Sequence, residues 1–285
     1  MSVFRSAIAS LRLSLAALLA LLACGVVSAQ APLGNVAADE GIVTAQLDGY
    51  TISGIVSRLP GKVSFKYGIV LFPGHPSIMR LREEDGRLVF ELQGNTLVRS
   101  RRLLLDEDTL VLTVDAPSDE WSVFSHNFRR GSRYGQDVRA LLTEVMKRYP
   151  VADWTMIGHS EGAVSAYAAA VANLDLTRHV ALVSALYLPT RNGPALSGLD
   201  WRMLSGRLLF VHHESDACQY TPYLSARQFA ADTGSPLLTV RGGSGQRGDA
   251  CRTWSAHGLP GMEEAALGAV KTWSRTGTVP ATVGP

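Results

Sequence analysis

The chain has 285 residues, of which 46% are hydrophobic and 18% charged, with 27 glycines. That length holds one large domain or two small ones, and the composition suits a buried globular core rather than a disordered chain. A formal net charge of +2 implies no strong field toward nucleic acid, so none is expected as a partner.

Residues 1–29 read as a secretory signal peptide, leaving a single domain over residues 30–285. Arg5 and Arg12 supply a positive n-region, Leu13 to Val27 an apolar h-region, and Val27-Ser28-Ala29 small residues for cleavage before Gln30. The apolar run is short for a membrane span, and no later stretch is long enough either. The expectation is export, to a periplasm or beyond the cell. Leu21-Leu22-Ala23-Cys24 resembles a bacterial lipobox, an alternative in which Cys24 would carry a lipid anchor. Against it, Gly25-Val26-Val27 continues the apolar run where a lipoprotein usually turns polar. The folded domain then keeps two of the three cysteines, Cys218 and Cys251, which in an oxidising compartment predict one disulfide. No C-x-x-C or H-x-x-x-H pair supports a metal site.

In chain order, Ile42 to Leu47 and Tyr50 to Val56 alternate in part and predict two antiparallel strands at a sheet edge. Tyr67 to Phe72 is a continuous apolar run closed by Pro73-Gly74, as a buried parallel strand should be. Residues 78 to 105 are mixed. Leu97, Leu103, Leu104 and Leu105 suit the apolar face of a helix, with Arg99, Arg101 and Arg102 on its solvated side. Leu110 to Val114 predicts another buried strand, followed by a loop holding Trp121, Phe124, His126 and Phe128. Gly135 to Arg148 carries Val138, Leu141, Leu142 and Val145 at helical spacing. Strands are expected at Val180 to Leu186, Arg207 to His212 and Pro236 to Arg241. A closing helix spans Glu263 to Trp273, and the tail from Thr276 to Pro285 is expected to be loose. Strands alternating with helices at this spacing predict βαβ units in a mostly parallel, doubly wound sheet. The only candidate cap is the short segment Pro189 to Met203.

Trp154-Thr-Met-Ile-Gly-His-Ser-Glu-Gly162, followed by small apolar residues, reads as strand, sharp turn and buried helix with Ser160 on the turn. This arrangement resembles the nucleophile elbow of the α/β-hydrolase fold. A side chain at Gly158 or Gly162 would collide with the neighbouring strand or helix. In the hydrolase order an acid and then a histidine follow the serine. Among seven histidines, His257 alone lies beyond a plausible acid-bearing strand end. The acid is expected after the Leu208 to Val211 strand, where Asp216 is favoured over Glu214, with Asp249 the runner-up. A Cys218–Cys251 bridge would tie the acid loop to the histidine loop. The oxyanion hole would be formed by the backbone N–H of Glu161 and of His75, the latter in Pro73-Gly74-His75-Pro76.

With Ser160, Asp216 and His257 in this order, the chain resembles the α/β-hydrolase superfamily over almost its full length. It is most similar to small exported bacterial serine hydrolases of the dienelactone-hydrolase or esterase type. The resemblance implies hydrolysis of a carboxylic ester, small or polymeric, through an acyl-enzyme and without a cofactor. A peptidase or amidase, or a non-catalytic binding protein on the same scaffold, are the alternatives. Gly243-Ser-Gly-Gln-Arg-Gly248 matches a dinucleotide fingerprint in spacing, but it follows the last strand and precedes no helix, so it is read as a loop bend.

Overall fold

The computed structural model describes residues 36–285; the segment expected to be a signal peptide, with Cys24, lies outside the described residues. Strands β1 (Asp39–Gln46) and β2 (Thr51–Arg58) pair antiparallel at one edge, as the partly alternating sequence implies. The remaining strands of the main sheet are β3 (Tyr67–Phe72), β6 (Thr109–Val114), β7 (Asp153–His159), β8 (Thr177–Val183), β9 (Leu208–His213), β10 (Leu237–Val240) and β11 (Thr282–Val283). Their order is β1-β2-β6-β3-β7-β8-β9-β10-β11. β2 and β6 are antiparallel, and every pairing from β6 to β11 is parallel. A separate hairpin joins β4 (Arg82–Glu84) to β5 (Arg87–Val89).

Among the described residues, six helices flank the sheet: α1 (Thr96–Ser100), α2 (His126–Arg130), α3 (Ser132–Arg148), α4 (Gly162–Ala172), α5 (Tyr223–Thr233) and α6 (Glu263–Thr276). Successive strand residues point to opposite faces, and the core divides accordingly. Val70, Leu112, Met156, Leu182 and Phe210 meet Val138, Leu141, Ala166 and Ala226 of α3, α4 and α5. Their neighbours Ile69, Val111, Ile157, Ala181 and Leu209 meet Leu97, Leu267 and Trp273 of α1 and α6. Burial on both faces is why these strands read as unbroken apolar runs. Among the described residues no helix is long and apolar enough to cross a membrane.

Two expectations and one omission need correction. Arg99 and Arg101 are not on a solvated helix face: both are buried, because each meets a carboxylate distant in sequence, Glu263 at 2.7 Å and Glu40 at 2.7 Å. The C-terminal tail is not loose, since Arg241 N–H donates to Val283 O (2.9 Å) and Thr239 N–H to Ala281 O (2.9 Å), adding β11 to the sheet. Helix α5 was not anticipated. It buries only Ala226 and Ala230, so no row of large apolar residues marks it. The candidate cap is a loop ending in a short 3-10 turn at Trp201–Leu204, with Trp201 packed edge-on to Tyr167.

Candidate active site

The sheet delivers Ser160 directly after its central strand β7, two residues before α4 begins at Gly162. Ser160 has φ 55°, a left-handed conformation that a non-glycine residue adopts only under local constraint. The constraint is visible. Ser160 N–H donates to Val183 O at 2.9 Å, and Ser160 O accepts from Ala163 N at 3.0 Å and Leu186 N at 3.2 Å. A Cβ at Gly162 would strike the carbonyls of Phe72 and Pro73, so only glycine lets α4 start against β3.

Asp216 and His257 come together from different elements. Asp216 follows β9, where His213 fixes the turn by accepting from Ser215 N–H (3.0 Å) and donating to Gly242 O (2.8 Å). His257 lies in a 3-10 turn before α6, and its Nδ1 is 2.9 Å from Asp216 Oδ2. Asp216 also accepts from Thr221 Oγ1 (2.9 Å) and Cys218 N–H (2.9 Å), and His212 Nε2, which donates to Thr221 O (2.8 Å), lies 3.2 Å from Oδ2. Burial works against its charge, but the His212 and His257 rings beside it outweigh that and hold the carboxyl well below the usual carboxylate range. An ionised carboxylate only accepts, so His257 Nδ1 carries the proton and its Nε2 is left as a base. Glu214 and Asp249 are elsewhere. Glu214 pairs with Arg241 at the surface (2.8 Å), and Asp249 is exposed and 4.0 Å from Arg252.

The histidine loop is gripped from several sides. His159 Nε2 donates to His257 O at 2.9 Å, and burial lowers the His159 pKa to about 3, keeping that ring neutral. Arg99 Nη2 donates to Gly258 O at 2.9 Å and to Glu263 at 2.7 Å, while its guanidinium stacks 4.3 Å from the Trp254 ring centroid. Cys218 is disulfide-bonded to Cys251, joining the acid loop to the histidine loop.

Two cavities meet at Ser160. The larger, about 690 Å³, is lined by His75, Glu161, Leu186, Asn192 and the Cys218 and Cys251 loops. The smaller, about 400 Å³, is lined by Gly74, Asn95, His159, Thr253 and His257, and Ser160 and His75 line both. Among the described residues, neither His75 N–H nor Glu161 N–H donates a hydrogen bond, and both residues line the larger cavity with Ser160. Glu161 has a second aspect that its place in the motif did not signal. Its buried carboxylate accepts from His126 Nε2 (2.7 Å) and His75 Nδ1 (2.9 Å). His212 and Thr221 were likewise missed as partners of Asp216. His212 carried a signal, standing four residues before the acid, whereas Thr221 carried none.

No family model and no curated protein matches the chain. Solved structures do. Est1E from Butyrivibrio proteoclasticus aligns with TM-score 0.53 and 15% identity over 82% of this chain and 97% of its own. A cold-adapted esterase from an Arctic intertidal metagenomic library aligns with TM-score 0.56 and 13% identity, over 85% and 95%. Dienelactone hydrolase from Anabaena variabilis gives 0.52 and 15%, over 83% and 96%. The chain has the α/β-hydrolase fold. Within that fold Ser160 takes the strand–helix turn, and the 73–76 loop and the Asp216 and His257 loops converge on it from the carboxyl ends of β3, β9 and β10.

Proposed function

We propose that this chain is an exported serine hydrolase that cleaves a carboxylic ester through an acyl-enzyme, with Ser160 as nucleophile, His257 as base and Asp216 as the acid. The observation that carries the reading is the 2.9 Å bond between His257 Nδ1 and a buried, ionised Asp216, beside a serine held at positive φ. His257 Nε2 takes the Ser160 proton as Oγ attacks the carbonyl carbon. The carbonyl oxygen, now negative, accepts the free N–H groups of His75 and Glu161. His257 then returns the proton to the departing alkoxide. Because His257 lines the smaller cavity and not the larger, the alcohol leaves from the smaller one and the acyl group occupies the larger. Water activated by the same histidine releases the acid and restores Ser160. The disulfide and the apolar N-terminal segment support the export part of the reading.

A series of p-nitrophenyl esters of increasing acyl length, run on the parent and on Ser160→Ala, tests the proposal. Turnover and fluorophosphonate labelling are expected in the parent and absent in the variant. Equal turnover in both, or no labelling of the parent, refutes it.

A further inference from the structure

The mechanism uses only the backbone of Glu161, yet its side chain is the centre of a buried polar cluster. Oε1 accepts from His126 Nε2 at 2.7 Å and from Asn192 Nδ2 at 3.3 Å. Oε2 accepts from His75 Nδ1 at 2.9 Å and from Arg129 Nη2 at 3.5 Å. His126 Nδ1 accepts from Ala195 N–H at 3.0 Å, so its proton is on Nε2 and points at the carboxylate. Arg129 is fully buried. Its other donors meet Ser165 Oγ (2.7 Å), Phe124 O (3.2 Å) and Pro76 O (3.4 Å). Burial works against charge on Glu161, but Arg129 and the hydrogen bonds from His126 and His75 hold its carboxyl well below the usual carboxylate range.

A buried ion pair gains little stability over apolar residues of the same volume, so its value has to be sought in what it orients. The four partners come from three segments: the loop after β3 (His75), helix α2 (His126, Arg129) and the connection after β8 (Asn192). His75 and Asn192 join Glu161 in walling the larger cavity. One link bears directly on the chemistry. The two N–H groups assigned to the oxyanion belong to His75 and Glu161, the two ends of a single side-chain hydrogen bond.

We propose that the Glu161 carboxylate is a positioning residue, which through His75 holds the two oxyanion donors at a fixed separation and anchors the cavity wall. This rests on the serine-hydrolase reading above. Arg129 is integral to it, because an uncompensated carboxylate beside the oxyanion would oppose the charge that the N–H groups attract.

The His75 side chain is 58% exposed, so its truncation tests the link without opening the core. His75→Ala removes the donor to Glu161, and His75→Gln keeps one. Parent, both variants and Ser160→Ala are compared for kcat and KM on p-nitrophenyl butyrate, affinity for an alkyl boronate, fluorophosphonate labelling and Tm. Losing one oxyanion donor costs roughly 10²–10³ in kcat, so loosening one is expected to cost about 10-fold. His75→Ala should show that loss in kcat and in boronate affinity, with KM and Tm little changed, and His75→Gln should regain most of it. Parent-like kcat in His75→Ala overturns the proposal. So does a His75→Gln variant as impaired as the alanine, or a kcat loss matched by a fall in Tm. If the parent itself shows no Ser160-dependent labelling, the enzyme reading has failed and this proposal with it. Labelling in the parent with unaffected variants removes the proposal alone.

Discussion

The Cys218–Cys251 bridge ties together the loops that bear Asp216 and His257, and its removal has a calculable cost. The two cysteines are 33 residues apart. Closing a loop of that size removes about 12 cal/mol/K from the unfolded chain, or about 4 kcal/mol at 25 °C, in the chain-entropy model. In a domain of this size each kcal/mol moves Tm by about 2–4 °C, so Cys218→Ser/Cys251→Ser should melt roughly 8–16 °C below the parent. Cys251 is exposed, so reductant should reach the bond and reproduce the shift without mutation. Activity should fall further than stability alone explains, because at a temperature where the variant stays folded the Asp216–His257 bond still loses its tether. Calorimetry with and without dithiothreitol, a thiol titration and ester hydrolysis well below both transitions measure the three effects. Two titrated thiols with a Tm shift under about 2 °C would refute the entropic account. An unchanged kcat in the folded, reduced protein would refute the registering role of the bridge.

Asp216→Asn should leave the fold intact and lower kcat on the order of 10³–10⁴-fold, because an amide no longer dictates which His257 nitrogen carries the proton; a loss below about tenfold would exclude Asp216 as the orienting acid. Arg99→Met should cost about 3–5 kcal/mol by leaving Glu263 buried and unpaired, with part recovered in Arg99→Met/Glu263→Leu. Denaturant titrations in which the double variant is no better than the single would show that the pair is not the source. Asp216 and Glu161 both bind protons more weakly folded than unfolded, so their contribution is present above the ordinary carboxylate pKa and lost as pH falls. Tm should therefore drop as pH falls below about 4, and Glu161→Gln should flatten that decline. A decline as steep as the parent's would show that Glu161 does not contribute to it.

What was legible in the sequence was local or ordinal. Tyr67–Phe72 and Leu110–Val114 declared themselves because strands buried on both faces need apolar side chains at every position. The Ser160 turn was legible because glycine at 158 and 162 is dictated by contacts within a few residues and with one neighbouring strand. Asp216 and His257, which the proposed reaction uses, were picked out by chain order, and their side chains lie 2.9 Å apart. Arg99 and Arg101 were misread for the opposite reason: a charge is assigned to solvent unless its partner is known, and Glu263 lies 164 residues away from Arg99. The two residues that form β11 have no pattern to offer, since their pairing is made entirely by backbone groups.

The same distinction explains why the site's supports were less readable than the groups proposed to react. A nucleophile, base and acid must be particular residue types, and type is visible in a sequence. A support needs only a donor or acceptor at the right place, and many types serve. Thr221 on Asp216, His159 on the His257 carbonyl and Arg99 on the Gly258 carbonyl are of this kind, and the last two join residues 98 and 159 apart in the chain. Their convergence gives the His257 turn one hold from the serine strand, one from α1 and one through the disulfide from the acid loop. A hydrogen-bond network of this sort is worth more than its separate members only if all of them persist. The buried placement of Arg99 and His159 keeps two of those holds out of water, where competition for the same carbonyls would weaken them.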